Sequence, residues 1–489
     1  MSLPALLDHL KQTAALSQVA GLLSWDQETM MPVRGGAGRA EQAGALAKVV
    51  HAREADPRIP DWAAAIDRAE LSPFDQCNVA EALRAHARAT KIPPSLTEAS
   101  AIAASEGQRT WAQAHEAKDF ASFVPALERN IELARQKAAC LSEDGADPYD
   151  CLLDEFEPGA KVEDLWPLLG SMRPRLTSLR EKISEQPKPD ALTGRFPAEQ
   201  QMSLAGRIAR QIGYDFDAGR LDKAVHPFSS GSAGDARITT RTDEADPFNC
   251  IYSTIHEVGH ALYTQGAVDP FMPAANYCSM GVHESQSRFW ENQIARSRPF
   301  ADWLYAEMAS SFDGMNLDDP DQLHGAVNRV ETGFIRTEAD EVHYNLHILL
   351  RFELEREMIG GSLAVEDLEA AWNARFLRDF GRDVPDPSLG VLQDVHWSVG
   401  LFGYFPTYSL GNIYAACLDK AMRRALPDCD EMVRTAQVAP ILGWMRANIH
   451  AHGRTLPAEE LIRHATGEAS STGPLLDYLE TKFSALYQL

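Results

Sequence analysis

The residues best suited to chemistry lie in one short stretch. It reads Asp246-Pro247-Phe248-Asn249-Cys250-Ile251-Tyr252-Ser253-Thr254-Ile255-His256-Glu257-Val258-Gly259-His260-Ala261-Leu262. On a helix, residues four apart stand on one face, so His256 and His260 offer two imidazoles to a single cation. Glu257, rotated about 100° from His256, can face an attacking water without becoming a ligand. Two donors do not complete a site, because a catalytic zinc keeps three protein ligands and one open position. A third histidine in metzincin register is absent: that pattern asks for Gly at 263 and His at 266, where the chain has Tyr263 and Gly266. A glutamate from a second helix remains. Glu284, in Val282-His283-Glu284-Ser285-Gln286, follows His260 at a distance that lets its helix pack antiparallel to the first. Glu291 is the alternative, although beside Phe289 and Trp290 it reads as a helix-surface carboxylate.

Such side chains need a rigid frame. Asp246 suits an N-cap, Pro247 the first helical position and Gly266 the stop, which predicts a helix of nearly five turns. Ile251, Ile255, Val258 and Leu262 form its buried stripe. Residues 1–180 are rich in Ala, Leu, Glu and Arg at helical spacing, punctuated at Pro57, Pro60, Pro93-Pro94 and Pro148. With no compositional break and no fixed-period repeat, residues 1–489 are expected to form a single domain, with helical subdomains possible. The exception to helix lies at about 223–243. There Val225-His226-Pro227-Phe228 and Ala236–Thr242 are strand formers around the loop-like Ser229–Asp235, a small antiparallel hairpin. Its edge leaves backbone N–H and C=O groups open to a further extended strand. Gly390, Gly400, Gly403, Pro406 and Gly411 mark one irregular segment inside the later helical run.

Composition narrows the class. Of 489 residues, 45% are hydrophobic and 24% charged, which is globular and excludes disorder, collagen-like repeats and a disulfide miniprotein. The 46 basic against 70 acidic residues leave a net charge of −24, which opposes binding to nucleic acid or anionic membranes. Seven cysteines without a Cys-x-x-Cys pair suit free thiols in a reducing compartment. The first residues lack the basic start of a signal peptide, and no stretch approaches the ~18 apolar residues of a membrane span, so a cytoplasmic protein is expected.

Six motifs in order then carry a resemblance: His226-Pro227-Phe228; Asp235-x-Arg237-x-Thr239; His256-Glu257-x-x-His260; His283-Glu284-Ser285-Gln286; Ile335-Arg336-Thr337-Glu338-Ala339-Asp340; and Gly390-x-x-Gln393-Asp394-x-His396-Trp397. With Trp25-Asp26-Gln27 and Met31-Pro32 near the start, the chain closely resembles the thermostable (Taq-type) carboxypeptidase family of zinc metallopeptidases. The resemblance implies a mainly α, neurolysin-like helical fold with a deep substrate groove and a small hairpin or sheet near the active site. It also implies a homodimer, peptide substrates, and removal of single residues from peptide C-termini with broad specificity.

Roles follow as expectations. Zinc, or cobalt or manganese, is held by His256, His260 and Glu284, with Glu257 as general base. The negative charge on the tetrahedral oxygen needs a further donor, and the irregular segment offers His396, Tyr404 and Tyr408. Tyr404 is the first choice, with aromatic packing as its ordinary role. A free α-carboxylate suits a guanidinium. The resemblance favours Arg351, with Arg237 second; Glu355, four residues on, would otherwise pair with Arg351 inside the helix. His226 and His283 are expected to support the site without ligating. Glu338 or Asp340 would orient a ligating imidazole. Two other readings compete: a zinc endopeptidase or dipeptidyl carboxypeptidase on the same scaffold, and an inactive helical interaction protein.

Overall fold

The structure, a computed structural model, describes residues 2–142 and 145–489. Helices dominate, and their ends carry the chemistry that starts and stops them. The Asp246 carboxylate accepts from the Phe248 N–H at 2.9 Å and Pro247 occupies the first turn, so the helix Pro247–Gln265 begins where its local signals predict. Ser279 caps Met280–Arg288 through the Val282 N–H at 3.0 Å. Asp340 caps Glu341–Gly360 through the N–H groups of Val342 and His343. Among the described residues no helix is long and apolar enough to cross a membrane.

The chain divides into two compact units. The first comprises Met1–Thr90, Pro189–Asn328 and Tyr414–Ser470; the second comprises Lys91–Lys188, Arg329–Ile413 and Ser471–Leu489.

In the first unit, Pro247–Gln265 lies against Ala198–Ile212, Met280–Arg288 and a small sheet. Ile251, Ile255, Val258 and Leu262 are all fully buried, as the stripe predicted. Burying each such side chain contributes about 1.5–3 kcal/mol, enough to fix which way the imidazoles on the neighbouring face point. The sheet corrects the sequence reading. It has three strands, β1 (Gly219–Lys223), β2 (Ser229–Ser232) and β3 (Asp235–Thr240), in the order β1-β3-β2. β2 and β3 form the antiparallel hairpin, but β1 pairs parallel to β3, and the strand-rich Val225–Phe228 only connects. The serines read as loop become β2 because β3 supplies a ladder that overrides their weak propensity. Thr240 Oγ1 lies 3.2 Å from the Cys250 carbonyl and 2.8 Å from Ser253 Oγ, which fastens β3 to the central helix.

In the second unit, the helix Glu341–Gly360 is buried on every side from Val342 to Glu355, the mark of a core helix. It packs on Phe120–Leu141, Pro148–Leu153, Arg173–Ser184 and Leu368–Phe380. The segment after Phe380 is irregular, as its glycines predict. It carries two short 3₁₀ turns, Pro387–Leu389 and His396–Val399, before helix resumes at Phe405.

Candidate metal and catalytic site

The two helices that carry the motifs run antiparallel. The Tyr252 hydroxyl reaches the Ala295 carbonyl at 3.2 Å, His256 meets Glu291, and His260 meets His283. Close approach depends on Gly259, since a Cβ there would lie 2.6 Å from the Gln286 carbonyl oxygen and 2.6 Å from the Ser287 Cα. At this contact His256, His260 and Glu284 offer donor atoms that all lie within 4.8 Å of one another. A Glu284 oxygen stands 3.7 Å from His256 Nε2 and 3.4 Å from His260 Nε2. Two imidazoles and one carboxylate around one point fit a divalent ion such as zinc.

The remaining imidazole nitrogens are held from outside. His256 Nδ1 is 2.9 Å from Glu291, and His260 Nδ1 is 3.0 Å from the His283 carbonyl, so both Nε2 atoms are left for the ion. Glu291 is therefore not the surface carboxylate its neighbours suggested. It is buried in the π-helical continuation Phe289–Ala295 and also bound by Arg288 and Arg296. Burial pushes its carboxyl up, but Arg288, His256 and Arg296 outweigh that and hold it at about 2. Glu284 is likewise raised by burial, yet Arg288 and the two histidines hold it well below the usual carboxylate range. Both stay ionised, the state in which a carboxylate can hold a cation or accept from an imidazole N–H. Glu291→Gln is expected to weaken metal binding by about 10–100-fold. A chelator competition measures this, and an unchanged affinity would remove Glu291 from the site.

Glu257 is buried at 6% exposure beside the pair and contributes no donor to the three-residue cluster. Burial pushes its carboxyl up and the two histidines only partly offset it, which suits a group that must take and return a proton. His283 lies with Nδ1 2.6 Å from His260 Nδ1; burial, then His260, keeps it neutral, in a supporting place. His226 is exposed beyond β1.

A cavity of about 560 Å³ in the first unit is lined by the edge strand β2, Tyr263, Thr264 and His283. Arg237 is already engaged. Asp235 holds it at 2.8 and 2.9 Å, and its guanidinium stacks 4.2 Å from the Trp25 ring, which accounts for the N-terminal tryptophan motif. Thr239 is more than a strand former: its hydroxyl accepts the Phe228 N–H at 2.8 Å and ties the His-Pro-Phe segment to β3.

In the second unit, Arg351 is fully enclosed and pairs with Asp394 at 2.6 Å, not with Glu355. Helical spacing favoured the local partner, but the fold brings a carboxylate 43 residues away onto the guanidinium. Arg336 takes the other Asp394 oxygen at 2.8 Å and stacks 4.9 Å from the Tyr408 ring. Arg336 stood in a quoted motif without a role; only the shared Asp394 reveals it. Burial raises the Asp394 carboxyl, but Arg336 and Arg351 outweigh that and keep it ionised. Two guanidinium groups thus share one carboxylate. His396 Nε2 lies 3.4 Å from the Tyr408 hydroxyl, and burial lowers the imidazole to about 4, neutral at pH 7. Tyr404 is partly exposed, its ring 5.0 Å edge-on from Phe156 and 5.8 Å from His396. Asp340 orients an imidazole as expected of a carboxylate, but that of His343 at 2.8 Å, which is no ligand, and Glu338 is exposed. The groups that meet the outer nitrogens of His256 and His260 lie on the helix packed against them instead.

A mainly helical chain whose His-Glu-x-x-His pair meets a glutamate from the next helix, with a buried carboxylate between the histidines, defines a single-metal peptidase. The family described as Carboxypeptidase Taq (M32) metallopeptidase matches residues 5–483. Thermostable carboxypeptidase 1 of Thermus thermophilus is 41% identical over 507 residues, covering 99% of this chain and 98% of that protein. Carboxypeptidase 1 of Bacillus subtilis is 36% identical, again over 99% and 98%. The crystal structure of an M32 carboxypeptidase from Deinococcus radiodurans superposes with a TM-score of 0.95 at 36% identity and covers 100% of both chains. Metallocarboxypeptidase 1 of Trypanosoma cruzi gives 0.95 at 31% identity over 99% of both. The chain belongs to the M32 metallocarboxypeptidase family, a family of peptide hydrolases.

Proposed function

We propose that this protein is a zinc carboxypeptidase that removes single residues from the C-termini of peptides, with little regard for the side chain released. The observation that carries the reading is the convergence of His256, His260 and Glu284 beside the buried Glu257. The three ligands hold the metal, which when bound acidifies water and polarises the scissile carbonyl. Glu257 takes the proton from the attacking water and delivers it to the departing amine nitrogen. The Tyr404 phenol donates to the carbonyl oxygen as charge develops there, worth about 3 kcal/mol when preorganised, with neutral His396 as a further donor. Tyr408 holds the substrate beside them, and β2 pairs with its extended backbone, which leaves side chains largely unread.

Arg351 receives the α-carboxylate, with Arg237 the second choice. Loss of the Arg351 charge in Arg351→Gln is expected to raise KM for free-tailed peptides about 10–100-fold, the value of a charge-assisted hydrogen bond. C-terminally amidated peptides should change little; equal losses on both would defeat the assignment. The resemblance further implies a cytoplasmic homodimer, and equilibrium sedimentation of the intact protein tests the dimer.

Timed mass spectrometry of a short unblocked peptide, with metal content measured in parallel, tests the whole reading. A ladder shortening by one residue from the C-terminus supports it. Internal cuts or released dipeptides would assign an endopeptidase or dipeptidyl carboxypeptidase with the same chemistry.

A further inference from the structure

We infer that Glu355 is a positioning residue: its carboxylate pins both ends of the segment 396–404 and so sets where the His396 imidazole and the Tyr404 phenol stand. This rests on the roles proposed for those two side chains. Glu355 is fully buried on the core helix Glu341–Gly360, and among the described residues no cation forms a salt bridge with it, because Arg351 is engaged by Asp394. Three neutral donors converge on it instead. The Tyr149 hydroxyl donates at 2.5 Å, the Trp397 indole N–H at 2.7 Å and the Gly403 N–H at 3.0 Å. Trp397 follows His396 directly, and Gly403 directly precedes Tyr404.

The rest of the segment is held to the same end. Asn130 donates to the Trp397 and Ser398 carbonyls at 3.0 and 2.8 Å. Gly403 has φ of 84°, and a Cβ there would fall 2.6 Å from the Leu152 backbone, so its N–H reaches Glu355 only because no side chain intervenes. Enclosing a carboxylate in a dry interior without a direct ion pair is costly, which argues that it does something a neutral group would not. The reason lies in its acceptors. An ionised carboxylate takes all three donors and offers none, whereas a glutamine amide would turn an N–H₂ towards at least one of them. Burial pushes Glu355 up to about 7, and the Tyr149, Gly403 and Trp397 donors, with the Arg351 charge after them, oppose that rise.

The test compares Glu355→Gln, Tyr404→Phe and the double variant as intact, metal-loaded protein. Glu355→Gln is expected to lower kcat about 10–100-fold, as sub-ångström displacement of donors does, with KM and metal content nearly unchanged. Tyr404→Phe should lose about 100-fold. The double variant should fall little below Tyr404→Phe, because a misplaced phenol and a missing one cost the same interaction. A full kcat in Glu355→Gln, or losses that multiply in the double variant, would overturn the inference. A full rate in Tyr404→Phe with a slowed Glu355→Gln would overturn the role of Tyr404 and support Glu355 acting through His396. Should Glu355→Gln fold poorly, Tyr149→Phe removes one donor at nearly constant volume; a lower kcat at constant KM supports the inference, and a shift in Tm alone overturns it.

Discussion

Glu257→Gln is expected to bind a full complement of metal and to lose turnover by about 10²–10⁴-fold, the usual worth of a positioned general base. The glutamine keeps the volume and the hydrogen-bonding atoms of the side chain but cannot accept the proton of the attacking water. Metal content should hold because His256, His260 and Glu284 supply the donors and Glu257 supplies none. Stability should hold or rise, since the substitution removes a buried carboxylate whose charge burial disfavours more than the two histidines offset. Metal analysis, a thermal melt and initial rates on one free-tailed peptide check the three parts together. A variant turning over at the wild-type rate would remove Glu257 from the chemistry whatever the metal content.

The second large effect concerns Glu284, the proposed third ligand. Glu284→Gln is expected to abolish activity by emptying the site, with metal affinity falling further than in Glu291→Gln. The ranking follows from contact: Glu284 faces both Nε2 atoms, whereas Glu291 touches only the far nitrogen of His256. Losing an orienting partner costs about 10–100-fold in affinity, and losing a charged donor must cost more. The fold should survive, because Arg288, which pairs with Glu284 at 2.7 Å, retains Glu291 at 3.1 Å. A metal titration of the two variants side by side decides the order. Equal affinities, or a Glu284→Gln protein that still binds and turns over, would move the third ligand elsewhere.

How far the chain could be read without its fold varies from residue to residue. The helix Pro247–Gln265 was legible because cap, first-turn proline, apolar stripe and histidine spacing are all local signals that agree. Glu284 was legible because its distance from His260 suits a return helix. Glu291 was misjudged because a carboxylate bound to a histidine 35 residues away looks, in sequence, like any other on a helix. β1 was missed because Gly-Arg-Leu-Asp-Lys carries no alternation and becomes a strand only where β3 offers a parallel ladder.

The same division holds for the second unit. Glycine and proline announced an irregular segment near 390–411, and the motifs there marked His396 and Asp394. That Arg351 answers to Asp394 and leaves Glu355 to Tyr149, Trp397 and Gly403 was invisible, since helical spacing argued for the nearer pair. Local order thus settled the helical class and the facing of His256 and His260, because backbone geometry alone places residues four apart on one face. Only tertiary packing decided which buried charges meet, because the cost of enclosing a charge is met by whatever partner the fold delivers, and sequence distance does not measure that.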